Sequence, residues 1–558
     1  MTDPAREATD AASVTDVPDA AAPTTIGRAS AFLASGTIVS RVLGFISLVV
    51  LASAIGVNSA AGDTFALANQ LPNNIYSLIA GGLLSAVIVP QIVKAGLHAD
   101  GGAGFINKVI TIGLVVFFAV TIIATACAPL LVQLYGSGFD PDEIALATAL
   151  AYWTLPQILF YALYSLIGET LNARGVFGPF TWAPVLNNVV GISGLVVFIA
   201  LFGAQDQHQD AAAWTPARVA LLAGSATLGI AVQAFALFFF LGRAGLRFRP
   251  DFGWRGVGLS GTAKAASWVF VMFLVTQVSG VVEARVASSA SGEASVNAMK
   301  IAWTMFMLPH SIVTVSIVTA YFTRMSSHVR DGRLDELRAD LSSALRSILL
   351  IMVFSAVGLA VLSFSFSAVF GNDYEETSSI AGVYLAFLTG LVPFTIFFVL
   401  LRVFYALDRT RAAFLIQVVQ TTFYVTGALL VGALVPKEWT AVGLALVLSA
   451  AVSLQALLSA LYLRRVLGPL DTWRVLRQVL WFLAAAFVAA AAGAAVLFGL
   501  GGVGPGGFPV DGKFSGILSM VIAGSVMAAV YAALLWITRN PELRAFGEPL
   551  LRRLRRAR

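Results

Sequence analysis

Residues 105–134 read FINKVITIGLVVFFAVTIIATACAPLLVQL, with one charged side chain, Lys108, near the start. A helix rises 1.5 Å per residue, so this run is long enough to cross the ~30 Å hydrocarbon core of a bilayer. It lacks the alternation of polar and apolar residues that a strand of an outer-membrane barrel needs. Working outward, thirteen further apolar stretches fall at about 31–56, 64–93, 142–172, 178–202, 217–244, 261–288, 294–323, 341–370, 378–405, 412–435, 440–463, 475–500 and 515–538. No long hydrophilic segment separates them, which leaves no room for a soluble domain. The expected fold is an all-α polytopic membrane protein with fourteen transmembrane helices, called here spans 1 to 14, with residues 105–134 as span 3. Composition agrees. Of 558 residues, 58% are hydrophobic and 11% charged, against about 25% charged in a typical soluble domain. Mean hydropathy is +0.86. So few charges exclude an ordinary cytosolic enzyme, a disordered chain and a coiled coil.

Orientation follows from the basic residues. With the N-terminus inside, the inner segments hold 29 of the 35 Lys and Arg. The seven outer connections and their flanks hold Arg218, Arg285, Lys300, Lys437 and Lys513, and Arg41 lies within span 1. This split follows the positive-inside rule through every loop and places both termini in the cytoplasm. It also accounts for the net charge of +6 without nucleic acid as a partner. Residues 1–27, rich in Ala, Thr, Asp and Pro, read as a disordered cytoplasmic tail rather than a signal peptide. Residues 541–558 form a basic cytoplasmic tail. The single cysteine, Cys127, cannot form an internal disulfide, and the four histidines are scattered, so no metal site or cofactor is expected.

The chain repeats itself. Leu71-Pro72-Asn73-Asn74-Ile75 in span 2 is echoed by Leu308-Pro309-His310-Ser311-Ile312 in span 8, and Leu155-Pro156 in span 4 by Val392-Pro393 in span 10. Both proline pairs are offset by 237 (309 − 72 and 393 − 156). Six spans is an even number, so both halves enter the membrane from the same side. The expected arrangement is a parallel pseudo-two-fold repeat: an N-lobe at 28–250, a C-lobe at 251–466, and spans 13 and 14 at 467–540 outside it. Pro72, Pro156, Pro309 and Pro393 interrupt the helical hydrogen-bond ladder and are the candidate hinges of a transporter that rocks between inward-open and outward-open states.

Ionisable residues inside a span cost about 2.5 to 3.5 kcal/mol each at its centre, so they are functional candidates. Arg41 lies about ten residues, roughly 15 Å, into span 1. Ser40 is beside it, and Gly44 at i+3 leaves room on the same face for a ligand or a neighbouring helix. Arg285 and Lys300 lie near the outer ends of spans 7 and 8, within reach of the outer interface by snorkelling. Lys300 shares a face with Thr304 at i+4. Glu283 does not share a face with Arg285. Asp63 opens span 2 as a helix N-terminal residue favoured by the dipole, a partner for a cation, or an ion-coupling carboxylate. With no carboxylate expected deep in the bundles, the cavity reads as basic. It suits a phosphate or pyrophosphate head group and suits a cationic drug poorly.

Ser40-Arg41-Val42-Leu43-Gly44-Phe45 resembles the first-helix motif of the MurJ/MviN family of lipid II flippases. The run from Asp63 to Asn73 resembles that family's start of helix 2, with Gly82, Ser85 and Val89-Pro90 at the family's spacing. Leu308-Pro309, an apolar run and Arg324-Met325-Ser326 also fit, in the style of the actinobacterial branch. The resemblance implies a member of the MOP exporter superfamily in the bacterial cytoplasmic membrane. Such a protein carries a polyprenyl-pyrophosphate-linked peptidoglycan precursor, lipid II, from the inner to the outer leaflet by alternating access, among membrane lipids and beside the cell-wall synthesis machinery. It implies two lobes around a cationic cavity and a groove for the lipid tail at spans 13 and 14. It also implies substrate contact for Arg41, Ser40, Gly44, Asp63 and Asn73. Cations that the family carries elsewhere fall here at Ser47, Tyr76-Ser77 and Thr304, and its acids at Leu48 and Gly81. Lys300 and Arg285 are therefore expected to replace part of the missing charge.

Two other functions stay open: a flippase for another lipid-linked glycan, and a degenerate flippase-like scaffold. A polytopic glycosyltransferase would need an acidic pair in a sizeable outer loop, and the longest, 203–216 and 501–514, are short and contain no acidic pair in a structured context. The chain is expected not to be an enzyme. No GxxxxGK[ST] sequence occurs, which leaves an ion gradient, the membrane potential or consumption of product outside as the energy source.

Overall fold

The computed structural model describes residues 23–83, 103–174, 176–208, 210–253 and 263–544. The segment 1–22, the motif residues Ser85, Val89 and Pro90, and the last residues of the C-terminal tail lie outside the described residues. Every described span is helical. Twelve helices are long and apolar enough to cross a membrane, and the bent pair Tyr374–Leu388 and Leu391–Ala406 makes a thirteenth. The remaining expected span is the 24-residue helix Ala60–Leu83. Asp63, Asn69, Gln70, Asn73 and Asn74 make it less apolar than its neighbours, because it faces the other lobe rather than lipid. Span 1 runs Pro23–Ile55, so it starts inside the segment expected to be a disordered tail.

Spans 1 to 6 pack into one bundle and spans 7 to 12 into a second. Helices Thr472–Gly499 and Lys513–Ile537, spans 13 and 14, pack on the outside of the second bundle against span 9, Leu334–Val361. Arg346 of span 9 is buried and holds this pair with ion pairs to Glu542 at 2.6 Å and Asp471 at 3.6 Å.

Three of the four prolines mark departures from regular helix, as their missing N–H requires. Span 4 breaks at Leu155-Pro156, between Pro141–Thr154 and Gln157–Ala173. Span 10 breaks three residues before Pro393, with a 44° bend. There the Ser449 hydroxyl of span 12 donates to the Ala386 carbonyl at 3.0 Å, and a Cβ on Gly390 would press on Ser449. Pro309 ends the helix Val296–Pro309 and is followed by a π turn, His310–Thr314. Pro72 sits within an unbroken helix.

The two bundles start their broken spans alike. Asp140 caps span 4 by accepting from the Glu143 N–H at 2.8 Å, and Asp373 caps span 10 by accepting from the Glu376 N–H at 2.8 Å. The offset is 233 for both (373 − 140 and 376 − 143). The repeat read from the prolines therefore also appears in the caps, with a few residues of slippage where the π turn and the break intervene.

Candidate functional site

The two lobes meet along spans 1 and 2 of the first and spans 7, 8 and 10 of the second. The loops that follow odd-numbered spans lie on one face, and there the lobes are stapled twice in a pseudo-symmetric way. The loop between spans 1 and 2 offers the Val57 N–H to the Glu376 carboxylate of span 10 at 2.8 Å. The loop between spans 7 and 8 offers the Ser291 hydroxyl to the Glu143 carboxylate of span 4. On the axis between them, Asp63 is fully buried and accepts from the Asn297 N–H at 2.8 Å. The Asn297 amide donates to the Gly56 carbonyl at 3.1 Å. Asp63 and Asn297 are themselves repeat partners, offset by 234 (297 − 63). Gly138 lies so close to the Ser288-Ser289 backbone that a Cβ would overlap it. Arg285 donates to the Ser137 hydroxyl at 2.9 Å.

Asp63 and Arg285 therefore belong to this closure and not to a cavity. The place of Arg285 near the end of the helix Ala263–Ser288 puts it level with the loops.

Below the closure the lobes part around a cavity of ≈ 430 Å³ lined by Gln70 and Asn73 of span 2, Glu283 of span 7, Lys300, Trp303 and Thr304 of span 8, and Phe387 of span 10. Lys300 also reaches a second cavity of ≈ 230 Å³ within the first lobe, beside Asn69, Asn187, Asn188 and Ser225. Asn73, Lys300 and Thr304 are thus brought together as expected, with the Thr304 hydroxyl occupied by the Lys300 carbonyl at 2.8 Å. The Lys300 ammonium makes no ion pair among the described residues.

Arg41 lies deeper. It is 14 residues from the end of its helix, about 21 Å, whereas Lys300 is about 6 Å from the start of its own. Its guanidinium crosses between the lobes and donates to the Ser311 hydroxyl, on the π turn after Pro309. Close by, the Gln277 amide donates to the Asn74 carbonyl at 2.9 Å. On the side away from the staples these two contacts bridge the lobes among the described residues. Ser40 and Gly44 face elsewhere. Asn188 of span 5 donates to the Ser40 carbonyl at 2.8 Å, and a Cβ on Gly44 would lie 3.8 Å from Asn188. Gly44 makes room for a neighbouring helix.

One expectation is overturned. A carboxylate does lie inside a bundle: Glu283 accepts from the Tyr424 hydroxyl of span 11 at 2.6 Å and lines the cavity. Its partner is 141 residues away, so sequence spacing could not reveal the pair. Ser311, Gln70, Asn188, Glu143 and Glu376 were also missed. The Asp-x-x-Glu sequences at 140–143 and 373–376 signal helix starts but not that each Glu reaches the opposite lobe.

An apolar groove of ≈ 340 Å³ opens on the second lobe between spans 9, 10, 12 and 13, lined by Leu341, Leu345, Pro393, Leu457 and Val475. Pro393 therefore borders an apolar surface.

Two six-helix lobes facing each other across a closed polar cavity define a membrane transporter of the paired-bundle type. Residues 51–504 match the family described as "Lipid II flippase MurJ", and the chain belongs to that family. It is 28% identical over 490 residues to a probable lipid II flippase MurJ of Haemophilus influenzae, covering 83% of this chain and 90% of that one. It is 25% identical over 469 residues to the corresponding protein of Vibrio cholerae, covering 80% and 84%. Its fold is similar to a solved lipid II flippase MurJ in an inward closed conformation, with a TM-score of 0.71 at 19% identity over 91% of this chain and 99% of that one. It is also similar to an inward-facing multidrug resistance MATE family transporter of the MOP superfamily, with a TM-score of 0.59 at 15% identity over 77% and 96%.

Proposed function

We propose that this chain carries lipid II, a polyprenyl-pyrophosphate-linked peptidoglycan precursor, from the inner to the outer leaflet of the bacterial cytoplasmic membrane by alternating access. Both termini are cytoplasmic in this reading, so the stapled face is the outer one. The observation that carries it is the inter-lobe cavity, where the Lys300 ammonium makes no ion pair among the described residues and the loops of one face staple the lobes together. An anionic head group enters from the inner side, where Arg41–Ser311 and Gln277–Asn74 are the contacts between the lobes that must part among the described residues. The apolar groove beside span 13 suits the polyprenyl tail, which stays in contact with lipid.

Arg41 has two partners in this scheme. In the closed arrangement it holds Ser311. A pyrophosphate offers it a charged, bidentate acceptor in place of a neutral hydroxyl, and charge-assisted pairs are roughly twice as strong. Head-group arrival would therefore release the contact between spans 1 and 8. Lysine lacks the planar fork and cannot make the same exchange.

The test is flipping of lipid II in proteoliposomes, or complementation of a depleted strain, normalised to membrane-inserted protein. Arg41→Ala is expected to abolish transport while still inserting, and Arg41→Lys to recover part of it. Normal flipping per molecule by Arg41→Ala would remove Arg41 from the site.

A further inference from the structure

We infer that the inter-lobe cavity binds a positively charged amino group of the substrate, with Glu283 as its counter-ion, alongside the anionic group held by Lys300. The inference rests on reading the chain as a flippase for a lipid-linked glycopeptide, and it assigns a role to a residue that this reading leaves unused.

Glu283 receives one hydrogen bond, from the neutral Tyr424 hydroxyl at 2.6 Å, and makes no ion pair among the described residues. A carboxylate offers about four acceptor positions. Tyr424 takes one, and the carboxylate also borders the cavity, where acceptor positions are open to a ligand. A carboxylate in a span without a cation is costly unless something in its path supplies one. Lys300, on the next helix, lines the same cavity and does not meet it within ion-pair distance. The cavity thus presents both signs of charge separately. Its other side chains divide the same way. Gln70, Asn73 and Thr304 are neutral polar groups. Trp303 and Phe387 are aromatic and packed together at 5.6 Å between ring centroids. Trp303 is stacked on Phe306 at 5.0 Å between centroids and borders the cavity as an apolar wall, which leaves Glu283 as the group there that can receive an ammonium.

Charge complementarity then narrows the ligand. A bare polyanion would be drawn to Lys300 and repelled by Glu283, and a simple organic cation would meet the reverse. A group bearing an amine close to a carboxylate or phosphate satisfies both, and a peptide with a diamino acid side chain supplies that combination. Glu283 is therefore a specificity-determining residue that reads the free amine of the peptide portion.

The experiment measures binding of the purified full-length protein to two probes: a lipid-linked disaccharide-pentapeptide with a free side-chain amine, and the same lipid with that amine acetylated. Acetylation is expected to weaken binding about ten- to a hundredfold, the span of one hydrogen bond to a charged group. Glu283→Gln is expected to lose a similar factor for the free amine and to bind the acetylated lipid as the unaltered protein does, which also shows that the variant is folded. Equal binding of the two lipids by the unaltered protein overturns the inference and leaves the flippase reading standing, and that comparison needs no variant. An acetylation penalty that persists in Glu283→Gln also overturns it. Binding of neither lipid by the unaltered protein overturns both.

Discussion

Replacing Glu376 by alanine should loosen the stapled closure by an amount that can be worked from its contacts. Its carboxylate accepts the Val57 N–H at 2.8 Å across the lobe interface, and the N–H and side-chain amide of Asn372, both at 2.9 Å, within its own loop. Only the first breaks when the lobes part. A hydrogen bond to a charged group is worth about 1.5–3 kcal/mol net. At 1.4 kcal/mol per factor of ten, Glu376→Ala should move the closed-to-open ratio about ten- to a hundredfold toward open. Glu143→Ala removes the symmetry-related bond, and the double variant should approach the product of the two shifts, since the staples lie on opposite sides of the axis. Glu376→Gln keeps one acceptor oxygen but not the charge and should fall between. The assay is the distance distribution between spin labels on Asp142→Cys and Glu375→Cys, two exposed positions on opposite lobes, in a Cys127→Ser background. A growing long-distance population in the order Gln, Ala, double Ala is expected. Unchanged distances in a folded double variant would refute the reasoning, and the carboxylates would then serve their own loops alone.

Gly138→Ala should favour the open form for a steric reason, because its Cβ would overlap the Ser289 backbone only while the lobes are closed. The same label pair reads it, and an unshifted distribution would mean that the loops adjust instead. Cysteines placed at exposed positions of the 371–377 segment, such as Asn372 or Glu375, should react with an impermeant reagent in intact cells and one in the 324–338 loop should not; the reverse pattern would invert the proposed orientation. In the loop between spans 5 and 6, burial and the nearby Arg218 guanidinium hold the His208 imidazole below its ordinary value. A lowered histidine binds fewer protons folded than unfolded, so its contribution is present above about pH 6.5 and lost as pH falls below that. Hydrogen exchange in residues 204–214, corrected for intrinsic rates, should rise on acidification, and His208→Phe should remove that dependence.

Much of the architecture is legible in the chain because lipid imposes a simple rule: backbone groups must be satisfied within each segment, so long apolar runs become helices. The prolines announced departures in spans 4, 8 and 10 for an equally local reason. Even span 2, the least apolar, declared itself through Asn69, Gln70 and Asn73, polar residues that need a partner other than lipid. The site was legible where one residue suffices and obscure where two must meet. Lys300 could be named from its place in span 8. Glu283 could not be read as a cavity residue until Tyr424 of span 11 fixed it. Asp63 invited three roles, and the deciding fact, the Asn297 N–H, lies 234 positions away. Arg285 invited either an interfacial or a cavity role, because snorkelling range and cavity range overlap at the end of a helix, and its bond to Ser137 lies 148 positions away.

The contacts divide by symmetry in a way that bears on mechanism. At the stapled closure the repeat is retained: Asp63 faces Asn297, and Glu143 and Glu376 each clasp the loop of the other lobe. Two lobes that rock against each other about a shared axis need contacts that break together, and repeat-related contacts do so. In the cavity the repeat is lost. At the offset of the Asp63–Asn297 pair, Arg41 corresponds to Val275, Lys300 to Ala66 and Glu283 to Val49. A lipid-linked glycan is itself polar at one end and has no two-fold axis, so a symmetric cavity would bind it equally in two poses. Placing Arg41 about 15 Å deeper than Lys300, and Glu283 near Lys300 alone, gives the cavity a direction. On the proposed reading the same asymmetry divides the work between the lobes: Arg41 of the first exchanges Ser311 for the head group, and Glu283 of the second reads what is attached to it. Variants of Arg41 should therefore impair transport of any pyrophosphate-linked lipid, whereas variants of Glu283 should discriminate among them by their amines. A Glu283→Gln protein that lost all such lipids equally would show that the two lobes share a single recognition task.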